Sequence, residues 1–116
     1  MDEAKLEKAL QSWRAVAKEH AEAKGQRTEL DHMRKVVKAQ LMVSAEQLDP
    51  QKYKSAASQE VYAYSHPDYI TCIKGLSAAT EAEALYYWRL KIAEKYMDMQ
   101  RTMAASDRAE RRAYGA

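Results

Sequence analysis

Leu85-Tyr86-Tyr87-Trp88-Arg89-Leu90-Lys91-Ile92-Ala93-Glu94-Lys95-Tyr96-Met97-Asp98-Met99 is the stretch that decides the fold. It lies in a region from Pro67 to about Arg112 that holds no further proline and in which only Gly75 interrupts good helix formers. At 100° per residue, Leu85, Tyr86, Trp88, Leu90, Ile92, Ala93, Tyr96, Met97, Met99, Met103 and Ala104 fall within an arc of roughly 200°. Lys91, Glu94, Lys95, Asp98 and Thr102 lie opposite. A two-helix seam needs a narrower stripe, so the arc predicts packing against two neighbours, one from the same chain and one from a second copy. Leu85, Trp88, Ile92, Tyr96, Met99 and Met103 are the expected oligomer interface.

Composition points the same way. The 116 residues fit one domain, 1–116, with a modest core. Hydrophobic residues at 47% and charged residues at 31% exclude a disordered chain. With 3 Gly, 2 Pro and no Phe, breakers are too scarce for a turn-rich β architecture. The expected fold is all-α: an elongated antiparallel helical bundle or coiled-coil hairpin with one long C-terminal helix.

Four helices are predicted, at about 3–24, 28–47, 50–65 and 67–106. The first carries Leu6, Ala9, Leu10, Trp13, Val16, Ala17 and His20 on one face, with Gly25 as a C-cap. Thr28 and Asp31 suggest a restart. On an ideal straight helix Leu30, Met33, Val37 and Leu41 fall opposite the first stripe, so a kink or loop is expected near Lys24 to Thr28. A continuous bent rod is the alternative, because one Gly costs only about 1 kcal/mol in a helix. Asp49-Pro50 reads as a cap followed by proline at the first helical position, opening a short helix with Tyr53, Ala57, Val61 and Tyr64. Ser65-His66-Pro67-Asp68 repeats that logic for the long last helix. The apolar stripe ends after Met103 and Ala104, which predicts a loose basic tail over about 105–116.

The net charge of +2 permits nucleic-acid binding without requiring it. Its distribution is more informative: Lys24, Arg27, Arg34, Lys35 and Lys38 form one basic stretch, and Arg101, Arg108, Arg111 and Arg112 another. Tyrosines supply stacking area with a polar hydroxyl, a combination suited to interfaces and to unpaired bases. Tyr62 and Tyr64 point about 200° apart on a helix, so one of them should be exposed or touch a partner. The candidate nucleic-acid or partner contacts are Arg34, Lys35, Lys38, Tyr62, Arg101, Arg108, Arg111 and Arg112.

Catalytic and metal chemistry find little to work with. Glu29 and His32 have the spacing of a di-metal bundle ligand pair, but the second copy and two further glutamates are missing, and His32 lies off the apolar stripe. His20 reads as an interface histidine and His66 as a turn or cap residue. One cysteine, Cys72, excludes an internal disulfide and reads as a small core residue in a reducing compartment. No catalytic residue, metal or cofactor is expected. The N-terminus lacks a secretory pattern and no apolar run reaches membrane-spanning length, so a cytoplasmic protein without a membrane partner is expected.

Glu60-Val61-Tyr62-Ala63-Tyr64-Ser65-His66-Pro67-Asp68-Tyr69, then Trp88-Arg89 in a long helix, then Arg101-Thr102 and an Ala/Arg/Glu tail form a pattern. From about Ser55 onward it resembles small uncharacterised helical proteins of tailed phages and prophages, often encoded near recombination and single-strand-handling genes. The resemblance carries no functional residues. It implies a setting, a phage protein acting in the cytoplasm of the bacterial host. The expected function is a non-enzymatic accessory role in DNA metabolism, through binding DNA or a DNA-processing protein of host or phage. The alternatives are an inhibitor that blocks a host defence or nucleic-acid enzyme, and a structural bundle of a phage assembly.

Overall fold

The computed structural model describes residues 2–115 and is all-α, 91% helical, with no strand among the described residues. Three helices follow one another: α1 (Asp2–Leu48), α2 (Ala56–Ser65) and α3 (Pro67–Ala113). The two long helices have 47 residues each, so each runs about 70 Å at 1.5 Å per residue.

The expected break near residues 24–28 does not occur, and α1 is continuous. Thr28 does not cap a new helix; its hydroxyl donates to the Lys24 carbonyl at 3.0 Å, inside the helix. The apolar phase explains why no break is needed. One row of buried and half-buried positions on α1 runs through Leu6, Ala9, Trp13, Val16, His20, Ala23, Arg27, Leu30, Arg34, Val37, Leu41 and Ala45. They step by three and four residues, a heptad repeat, with one double step of four at the end. A 3.5-residue repeat drifts about 20° per heptad against a straight 3.6 lattice, so the buried row moves round the helix without any break in it. The change of side expected for a straight helix between Leu6 and Leu41 is that accumulated drift. On α3 the same rhythm runs through Tyr69, Cys72, Leu76, Ala79, Glu83, Tyr86, Leu90, Ala93, Met97, Gln100, Ala104 and Asp107.

Pro50 does not open a helix. Asp49 Oδ1 accepts from the Lys52 backbone N–H at 3.1 Å and closes a single turn. α2 begins at Ala56 instead of residue 50, capped by Ser55, whose Oγ accepts from Ser58 N–H at 3.1 Å. His66 serves two helices. Its N–H donates to Ala63 O at the end of α2, and its Nδ1 accepts from the Asp68 N–H at 3.1 Å above Pro67, the first residue of α3. The C-terminal segment expected to be loose is helical through Ala113, and Gly115 closes it at φ 72°. Ala105, Ala109 and Ala113 are the strongest helix formers, and Arg111 pairs with Asp107 at 2.9 Å one turn back. Residue 116 lies outside the described residues.

The described residues form two compact units, residues 1–23 with 83–116 and residues 24–82. In the second unit, Leu41, Ala63 and Tyr69, one from each helix, form a buried cluster packed by Val37, Met42 and Tyr62. In the first unit the buried residues are Ala9, Ala23, Met97, Gln100 and Ala104.

Candidate functional site

The expected contact residues separate into two kinds of environment. Arg34 and Lys38, on α1, are held inside the second unit. Arg34 Nη2 lies 2.8 Å from Asp31 Oδ1, one turn back. Hydrogen bonds to Asp31 and then to Tyr69 raise its pKa, and the same Arg34 bond is the largest influence lowering that of Asp31. Lys38 Nζ donates to Glu60 Oε1 at 3.4 Å and sits 4.8 Å above the Tyr64 ring. The hydrogen bond to Tyr64, and then the charge of Glu60, raise the Lys38 pKa. Both cations therefore tie α1 to the other helices of the unit. Lys35, between them, is exposed and acts on Asp31 through its charge.

Of the two tyrosines, Tyr64 is the exposed one, at 46%, with its ring edge-on to Tyr69 at 5.2 Å. Tyr62, the expected contact, is half-buried against the Leu41 cluster and edge-on to Tyr53 at 5.2 Å. The pairing of α2 with the Leu41 cluster decides which tyrosine turns inward, and spacing along the chain does not carry that information. The same unit has a shallow groove of about 440 Å³ bounded by Val37, Leu41, Asp68 and Cys72. Cys72 is free and half-buried. Among the described residues no three His, Cys, Asp or Glu side chains are grouped to hold a metal ion.

The C-terminal arginines are placed differently. Arg101, Ala105, Arg108 and Arg112 recur at four, three and four residues and share one face of α3, on which the three arginines stand. Arg108 Nε donates to the Ala104 carbonyl at 3.4 Å, which steers its side chain along the helix. Arg111 lies to one side, paired with Asp107. Among the described residues no carboxylate lies within ion-pair distance of Arg101, Arg108 or Arg112. Ala105 and Ala109 leave a shallow depression of about 190 Å³ between Arg108 and Arg112. These alanines were not among the expected site residues, although their i, i+4 spacing marks them as floor between the arginines.

Roughly opposite the arginine row runs the expected oligomer interface. Leu85 is 52% exposed, Trp88 64%, Ile92 68%, Tyr96 48%, Met99 52% and Met103 47%. The wide arc therefore divides into two: an inner row through Tyr86, Leu90, Ala93, Met97 and Ala104, and an outer row uncovered in the single chain. His20 leans on Tyr87 at 5.9 Å between ring centres, and Tyr87 stands edge-on to Trp88 at 5.4 Å. Among the described residues no helix is long and apolar enough to cross a membrane. No protein-family model, curated protein or solved structure matches this chain.

Proposed function

We propose that this chain is a non-enzymatic binding protein of phage DNA metabolism, in recombination or replication, acting in the bacterial cytoplasm on DNA or a DNA-processing protein. The observation that carries this reading is the arginine row Arg101, Arg108 and Arg112, set on one helix face with no carboxylate among the described residues within ion-pair distance. Guanidinium groups bind phosphate oxygens through paired N–H donors, and each phosphate neutralised releases counterions, so attraction is strong at low salt and independent of base sequence. Arg34 and Lys38 drop out of the contact set, because their charges already serve the fold. Lys35 remains available beside them. The phage setting is what the resemblance of the Glu60–Tyr69 segment implies.

The test is a salt titration of binding to labelled single- and double-stranded oligonucleotides. Replacing Arg101, Arg108 and Arg112 with Gln together should weaken binding to every sequence alike. It should also flatten the dependence of log affinity on log salt by about one unit for each phosphate no longer neutralised. Equal binding by the triple variant, or no binding by the wild type to either oligonucleotide at low salt, refutes the direct nucleic-acid interaction.

A further inference from the structure

We infer that the outer apolar row of α3 is closed by a second copy of this chain, with the two α3 helices crossing it antiparallel about a two-fold axis near residue 94. The surface leaves room for a partner. The chain exposes 8609 Å². A compact monomer of 13.3 kDa exposes about 6,500 Å². The excess, about 2,100 Å², is ample for a stable dimer, whose standard interface takes about 800 Å² from each partner.

Three features choose a second copy in this orientation. First, on residues 3–23 of α1 no large apolar side chain is exposed among the described residues, so the exposed apolar row of this unit is confined to α3. Second, the row is nearly symmetric about its own middle. Antiparallel pairing sets Leu85 against Met103, Trp88 against Met99 and Ile92 against Tyr96, so aromatic or branched groups meet flexible thioethers across most of the seam. This is the self-complementarity a two-fold interface demands. Third, charge favours the same orientation. Lys91 and Asp98 border one edge of the row, and antiparallel pairing brings the Lys91 of each copy toward the Asp98 of the other, while Lys91 also reaches its own Glu94 at 3.6 Å. Parallel pairing would set this edge against the opposite edge of the row, and the Lys91–Asp98 pairing would be lost. The arginine row, on the far side of α3, stays open in this arrangement.

Two measurements test the dimer and its direction. Light scattering at micromolar concentration should give twice the chain mass of 13.3 kDa. Ile92→Glu should raise the dissociation constant on the order of a hundredfold while helical circular dichroism is kept, because Ile92 is 68% exposed in the single chain. For direction, a spin label is attached to the Ser106→Cys variant in a Cys72→Ser background. Antiparallel helices separate the two labelled positions by about 36 Å, as 24 residues at 1.5 Å each. Parallel helices hold them about 10 Å apart. A monomer, a mass unmoved by Ile92→Glu, a partner other than this chain needed to cover the row, or the short distance each overturns the inference. Loss of charge in the arginine triple variant leaves the mass unchanged, so the two proposals fail separately.

Discussion

The two compact units are built on the same pair of long helices, yet they solve the covering of apolar surface differently. In residues 24–82 a third helix, α2, is present, and Ala63 joins Leu41 and Tyr69 in a buried cluster with Lys38 and Arg34 bonded around it. In residues 1–23 and 83–116 there are two helices alone, and the buried set is mostly alanine. An α-helix can turn only part of its circumference toward one neighbour, so an apolar arc of roughly 200° keeps an uncovered half unless another helix arrives. In one unit the chain supplies that helix from its own sequence and builds a buried cluster on it, although Met33, Val36, Val43, Val61, Ile70 and Ile73 stay exposed there. In the other the outer row of α3 stays open in the single chain.

The largest expected effect contrasts a residue from each unit. Tyr69→Ala removes a ring that is 8% exposed, together with its interactions with Arg34 and Tyr64, and should cost about 3–5 kcal/mol in urea unfolding. Ile92→Ala should cost under about 0.5 kcal/mol at dilutions where the chain is single, since it is a surface change there. The gap should narrow as protein concentration rises, because stability of an associated state depends on concentration. A concentration-independent loss for Ile92→Ala would break the comparison.

Gln100 tests the thin seam of the first unit. It is 6% exposed and its Oε1 has no hydrogen-bond partner among the described residues. Replacing it with Leu should stabilise the fold by about 1–2 kcal/mol, read as a higher unfolding midpoint at unchanged denaturant slope. A loss would mean that the amide sets the register of α1 on α3, as single polar residues do in coiled coils.

The smallest effect is electrostatic and belongs to the second unit. The Asp31 carboxyl is held below its ordinary value of 3.8, chiefly by the Arg34 hydrogen bond. A carboxyl whose folded value is depressed stabilises the fold above its unfolded value, and the contribution is lost as pH falls through the folded one. Acid titration of wild type against Asp31→Asn should therefore show a shallower loss for the variant below about pH 4, small because solvent reaches the half-buried pair and screens it. Identical acid limbs would remove the pair from the account of this unit.

Several features were written in the chain itself. Scarcity of Gly and Pro, abundance of helix formers and the apolar rhythm determine an all-α fold, because these act through local backbone preference and side-chain period. Pro67 after His66 likewise fixes where α3 begins, through the missing N–H and the set φ of proline. The wide apolar arc from Leu85 to Met103 was legible as well, from side-chain period alone.

Other features required the packed structure. Continuity of α1 past Gly25 goes with a buried row at three- and four-residue steps, and a straight lattice misreads the phase of that row as a break. Ser55 displaces Asp49-Pro50 as the start of α2, because either cap is locally sound and the pairing of Ala63 with Leu41 and Tyr69 selects between them. Arg34 and Lys38 carry the same charge in sequence as Arg101 and Arg112. Tyr69, Glu60 and Tyr64, more than twenty residues away, hold the first two within the fold, and no such neighbours meet the C-terminal pair among the described residues. Charge and apolar character are properties of residues, whereas which of them remain free is a property of what packs beside them.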